Sequence, residues 1–340
     1  MWQSFFNNFH LAPCMLQVSL PDSVLNQFDD SSRQVLDSLL HSLGEAKPGT
    51  GAPHYLLPPW MLTLLVLAVL LAGLVYAIGP PIFGRRIADK MRWGRAQKEI
   101  DQKEALYQNW LMRYNPYYAS LTPSLQKRFL FRSVAFMQSK LFIYHDQPAE
   151  EQIPLLISAA AVQVTFGLRN YLMDYFSEIH VMGNQYTINN NDADVYYGHV
   201  SHTGIHVAWN YFVKGFSNYS DGTNVGLHEM AHAISYDVFL GQADRFDRAM
   251  KQKLQDFTQE NRPAFRSLKK GMSHTLNDYA GTNFDEFWAV CIETFFENPD
   301  SFRATDPDLY FSICDTLNQD PLRPQKIIDA DIAGLDVEVA

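Results

Sequence analysis

An α+β fold, rich in helix with a small mixed sheet and preceded by one membrane-spanning helix, is what this sequence predicts. Three observations predict it. Strand-like runs cluster at residues 178–182, 186–188, 195–200 and 204–212. Two helical patterns that are apolar almost all round, at 225–239 and 284–297, follow that cluster and belong in a core. Residues 60–78 carry no charge at all, over a length that crosses a hydrocarbon layer.

The elements follow in order. Residues 1–59 hold one short amphipathic pattern at 30–43 and a Gly/Pro-rich linker at 44–59. The apolar run 60–78 begins too far from the start for a cleaved leader, so it reads as a transmembrane helix in a lipid bilayer. Its C-terminal flank carries Arg85, Arg86, Lys90, Arg92, Arg95 and Lys98, whereas the N-terminal flank has only Lys47, beside Glu45. The positive-inside rule then puts residues 1–59 outside and residues 82–340 in the cytoplasm, as a single-pass protein of the cytoplasmic membrane. Residues 79–120 form a charged helical connector, with the helix at 85–110.

The main domain spans 121–325. Thr122 and Pro123 open a helix that runs to Lys140. A strand at 142–145 precedes a helix at 150–167, whose centre, Ala159-Ala160-Ala161, suits tight packing. After the strand cluster and the helix at 225–239 comes an exposed amphipathic helix at 246–261. Thr305-Asp306-Pro307 opens a last helix to Leu317. The tail 326–340 is acidic, with the composition of a flexible segment.

Chemistry concentrates at His228-Glu229-Met230-Ala231-His232. At helical spacing, residues i and i+4 lie on one face a turn apart, so both imidazoles reach one metal ion. The pattern fits one zinc ion per chain, with Glu229 as general base in a hydrolysis. Thr223 and Asn224 are both plausible caps for this helix. Two histidines leave such a zinc one protein ligand short. On the second apolar helix, Glu286, Glu293 and Glu297 share one narrow stripe. Carboxylates set in an apolar surface need a partner or a metal. Asn283-Phe284-Asp285-Glu286 is also a capping-box pattern, which would occupy Glu286 with a backbone amide instead. Taken with the histidine helix, ligation by Glu286 is the stronger reading. Glu293, two turns on, is the candidate acceptor for a ligand-histidine N–H, and Glu297 falls at the solvated end. His199, His202 and His206 lie in the strand region at a spacing that favours strand or turn histidines over a second metal site.

At these residues the chain resembles the Mlc titration factor A family of zinc peptidases. The resemblance rests on Asn224 to His232, on Asp278-Tyr279-Ala280-Gly281-Thr282-Asn283 running into Glu286-Phe287-Trp288-Ala289-Val290, and on Glu293-Thr294-Phe295-Phe296. Gln319-Asp320-Pro321-Leu322 is similar too, and the whole covers residues 121–322. It implies a zincin-like metallopeptidase fold related to the catalytic domain of anthrax lethal factor. It also implies zinc held by His228, His232 and Glu286, with Glu229 as base and Tyr279 helping to stabilise an oxyanion. One departure stands out. After the second histidine the family reads Lys-Leu-Asp where this chain has Ala233-Ile234-Ser235, and the nearest acid is Asp237. The role of that aspartate then passes to Glu293 or to a backbone carbonyl.

The expected substrate is a peptide or protein. The competing reading is a regulatory module that binds a protein partner, since the family takes its name from sequestering a repressor. A structural zinc, however, has four protein ligands, and only three are found here. A net charge of −10 over 340 residues argues against a nucleic-acid surface. The three cysteines, Cys14, Cys291 and Cys314, form no disulfide framework.

Overall fold

The computed structural model describes residues 91–187, 195–241, 245–271 and 275–324. The apolar run 60–78, its flanks up to residue 90 and the tail from 325 lie outside the described residues. No helix among those described is long and apolar enough to cross a membrane.

Helix α1, described from residue 91 to 114, lays Ala96, Ile100, Tyr107 and Leu111 into the core, so this part of the connector packs against the domain. A short helix α2 (Pro116–Ser120) follows, capped by Asn115, and then α3 (Pro123–Ser139). Strand β1 (Leu141–Tyr144) leads to α4 (Gln152–Thr165). Ala159, Ala160 and Ala161 are fully buried there, which lets neighbouring helices approach α4 closely. Beyond α4 come β2 (Glu178–Met182), the short antiparallel pair β3 (Tyr186–Thr187) and β4 (Val195–Tyr196), β5 (Gly198–Ser201) and β6 (Gly204–Ala208).

The main sheet has the order β1-β2-β6-β5. The first three strands are parallel, and β5 is an antiparallel edge strand. Alternation sets its two faces: Ile179, Val181, Ile205 and Val207 are buried beneath the helices. The other face carries His180, His206 and His199, in register on adjacent strands. With His145 they form a row of stacked imidazoles, with centroids 5.3, 4.3 and 4.0 Å apart along it. Burial, and then its histidine neighbours, hold the pKa of His206 down to about 3, so the stack is neutral there. Among the described residues none of these histidines joins a group of three ligand atoms close enough to share one ion, as a second metal site would need.

One expected strand is partly helix. Residues 204–208 are extended, but α5 (Trp209–Ser217) starts immediately after them. Trp209, Phe212 and Phe216 recur at helical rather than alternating spacing, and they stack on one another. Phe212 and Phe216 press against Gly226, where a Cβ would lie 2.6 Å from the Phe212 ring. The expected strand 195–200 is likewise broken, into β4 and the start of β5.

Helix α6 (Val225–Leu240) follows, then α7 (Arg245–Glu260), α8 (Arg262–Lys269), a 3-10 turn (Asp278–Gly281), α9 (Phe284–Glu297), α10 (Pro299–Thr305) and α11 (Pro307–Leu317). Helices α6 and α9 lie side by side at the centre. Trp288 Nε1 of α9 donates to the Ala231 carbonyl of α6 at 2.9 Å. The segment after α11 is tied down by Gln319, whose amide donates to the carbonyls of Gln163 and Val164 at the end of α4. Cys291 is buried among apolar side chains on α9, and it and Cys314 are free thiols.

Candidate metal centre

Helix α6 begins at Asn224, whose side chain accepts from the Leu227 amide at 3.1 Å. His228 and His232 then emerge on one face, with their Nε2 atoms 3.1 Å apart. Helix α9 begins at Asn283, whose side chain accepts from the amides of Asp285 and Glu286. The Glu286 side chain does not turn back to close a capping box. Its Oε2 lies 3.0 Å from His228 Nε2 and 3.5 Å from His232 Nε2.

These separations match the chemistry of one shared ion. Two ligand atoms bound tetrahedrally to one zinc stand about 3.3 Å apart. Glu286 Oε2 is buried and makes no hydrogen bond of acceptable geometry, although two imidazoles face it. Burial disfavours its charge, but the two histidines outweigh burial and hold its carboxyl down to about 2. Burial also opposes a charge on His228, yet Glu286 and Glu293 outweigh it and push that pKa up to about 10. Two carboxylates, Glu286 and Glu293, thus draw positive charge to one point, and no Lys or Arg is among the described residues lining the cleft. A divalent cation fits that demand, and a donor set of two imidazoles and one carboxylate fits zinc. Among the described residues this is the one group of three or more such ligand atoms within reach of one ion.

Glu293 stands behind the centre. Its Oε1 accepts from His228 Nδ1 at 2.6 Å, and its Oε2 accepts from the Asn224 amide at 2.5 Å. One carboxylate therefore orients both a ligand histidine and the start of its helix. Asp237 does not share that work, because it accepts from the backbone amide of Tyr175 at 2.8 Å. Ser235, in the position of the family's aspartate, turns back toward the Ala231 carbonyl at 3.5 Å.

Glu229 is buried, and its Oε2 has no hydrogen-bond partner. Burial pushes its carboxyl up to about 7, against the opposing pull of His228 and His232. The edge strand β5 lies directly on it. A Cβ at Gly198 would come within 2.5 Å of Glu229 Cγ, so only glycine allows this contact. Tyr279, in the 3-10 turn before α9, is half-exposed, with its ring 6.1 Å from that of His228. Burial, then Glu286 and Glu229, raise its hydroxyl pKa. These groups line one cleft of about 770 Å³.

The sequence profile of the Glucose-regulated metallo-peptidase M90 family matches residues 90–316. The chain belongs to that family. The M90 match begins where α1 enters the core, ahead of the residue 121 boundary read from the motifs. The chain is also similar to Uncharacterized protein slr2042 of Synechocystis sp., at 25% identity over 267 residues, which is 73% of this chain and 94% of that protein. As an M90 member it is metallopeptidase-like, and its helix-rich body with a small mixed sheet fits an α+β metallopeptidase domain.

Sequence reasoning missed one residue of this M90 site. Glu297, expected at a solvated helix end, is 5% exposed. It accepts from the Thr223 amide at 3.0 Å and from Asn224 Nδ2 at 2.9 Å. Its place on the stripe with Glu286 and Glu293 was the available signal: Glu286 reaches the metal centre, Glu293 the ligand histidine, and Glu297 the helix cap. Burial raises its carboxyl to about 7, above an unfolded value near 4.5. A carboxyl raised on folding contributes stability that is complete below about 4.5 and lost as pH rises through about 7. Under chelating conditions the stability of the wild type relative to Glu297→Gln is therefore expected to fall between pH 5 and pH 8. Urea midpoints of the two proteins at both values check this, and a pH-independent difference contradicts it.

Proposed function

We propose that this chain is a zinc-dependent peptidase of the gluzincin type. The observation that carries the reading is the convergence of His228 Nε2, His232 Nε2 and Glu286 Oε2 beside the buried, unpartnered Glu229. Zinc bound by those three side chains supplies Lewis acidity, which polarises a scissile carbonyl and makes a water easier to deprotonate. Glu229 takes the proton of the attacking water and passes it to the leaving amine, and its raised pKa suits both steps. Tyr279 donates its hydroxyl to the developing oxyanion. Glu293 keeps His228 in the orientation that directs Nε2 into the cleft. Edge strand β5 offers backbone groups with which an extended peptide can pair.

Zinc analysis with peptide-library cleavage tests this on the full chain. The Glu229→Gln variant is expected to keep its zinc and to lose turnover, by about 10²-fold or more for a general base. Unchanged hydrolysis in that variant sinks the assignment.

The same proposal places the peptidase on the cytoplasmic face of the cytoplasmic membrane. The uncharged run 60–78 and the basic flank from Arg85 to Lys98 support it. Protease added to intact spheroplasts should spare the catalytic domain, and its digestion there would reverse the orientation.

A further inference from the structure

Large apolar side chains exposed to water are unusual when they gather in one place. Here they gather beside the metal centre. Tyr236, Phe239 and Leu240 on α6, with Val195 and Tyr197 opposite, are between 36 and 57% exposed, and all five line the cleft of His228 and Glu229. Helix geometry explains the three on α6. At 100° per residue, His228, His232, Ser235, Tyr236, Phe239 and Leu240 fall within an arc of roughly 140°. Leu227, Met230, Ala231, Ile234 and Val238 take the other side and are buried. The face that presents the ligand histidines thus continues, from Tyr236 to Leu240, into a further turn of exposed apolar surface. The buried side of the helix already supplies its share of the core, so folding does not account for this stripe.

The charge of the cleft narrows what covers the stripe. Its described lining carries Glu229, Asp285, Glu286 and Glu293 and no Lys or Arg. Lys251 sits over the Phe239 ring at 5.5 Å, outside the lining. At about 770 Å³, the cavity has the size of a site that encloses side chains as well as a backbone.

We propose that the last turn of α6 forms the specificity subsite, which takes a bulky apolar or aromatic side chain next to the scissile bond and rejects an acidic one. This rests on the peptidase reading above. The occupant is a substrate side chain because stripe and metal centre share one continuous cavity. A peptide backbone held at the metal would place a neighbouring side chain on Tyr236, Phe239 and Leu240.

Binding, rather than turnover, tests it. Zinc-loaded full-length Glu229→Gln is titrated with blocked, fluorescently labelled hexapeptides that differ at one position, as Phe, Leu, Ala or Asp. The Phe and Leu peptides are expected to bind about tenfold tighter than Ala, from the apolar area they bury. The Asp peptide should be the weakest. Adding Phe239→Ala and Leu240→Ala together should bring Phe, Leu and Ala to near parity while zinc content stays the same. Equal affinities in the first protein, an undiminished preference in the second, or no binding at all would overturn the subsite. So would a self-associating wild type that the double substitution renders monomeric, because a second copy would then cover the stripe. If the preference is found but the wild type hydrolyses none of the peptides, the subsite stands and the peptidase reading falls.

Discussion

Glu286→Ala is expected to strip the protein of its metal. Glu286 Oε2 is the only carboxylate oxygen within 3.5 Å of both ligand imidazoles among the contacts described, and no neighbour is placed to replace it. Glu293 is committed to His228 Nδ1 and the Asn224 amide. Glu229 is held against strand β5 at Gly198. Losing one of three protein ligands costs on the order of 3 kcal/mol of binding, roughly a hundredfold or more in affinity. Zinc at a hundred times its dissociation constant stabilises a folded protein by about 2.7 kcal/mol. In a domain of this size that is about 5–10 °C of thermal midpoint. Wild type should therefore rise by that amount on adding zinc after chelation, and Glu286→Ala by only about 1 °C or less. An equal rise in both proteins would show that the ion is bound elsewhere.

Gly198→Ala is expected to disable turnover while leaving the metal in place. The added methyl would lie 2.5 Å from Glu229 Cγ and 2.6 Å from Cδ and Oε1. Either β5 retreats or the carboxylate moves. Overpacking of this kind costs about 1–3 kcal/mol of stability. The larger effect is on geometry, because a misplacement near 1 Å can cost about 10²-fold in rate. The ligand atoms are not touched by the substitution, so zinc content should match wild type. A kcat/KM within a factor of about two of wild type would mean that Glu229 is not the base, or that it tolerates displacement.

Much of the site was legible in the chain because its signals are local or chemical. The spacing of His228 and His232 needs only helical geometry. Glu286 was found because a carboxylate on an apolar helix needs a partner, and Glu293 because a ligand imidazole needs an acceptor for its second nitrogen. Within its own four residues the capping-box pattern is the stronger reading of Glu286, and only the histidine helix turns the choice toward ligation. The structure decides between them: Asn283 caps the helix with its own side chain, and Glu286 points at the histidines.

Other features could not be read from any one segment. Residues 209–212 look extended beside β6, yet Trp209 stacking on Phe212, and Phe212 and Phe216 packing on Gly226, go with their coiling into α5. Glu297 looks terminal and solvated until the start of α6 is laid across it. Asp237 looks like a displaced acid for orienting a histidine until the Tyr175 amide is found on it.

The sequence by itself determined the candidate residues: a pair of imidazoles at one helical turn, an acid between them, and an acidic stripe on a helix too apolar to be exposed. It also determined the uncharged run at 60–78 and its basic flank. Only the tertiary structure decided that the stripe meets the histidines, that Gly198 lets a strand rest on Glu229, and that the ligand face of α6 runs on into apolar surface. The reason is physical. Periodicity and burial cost are properties of neighbouring residues, whereas a contact between residues 198 and 229, or 224 and 297, exists only once separate elements have packed.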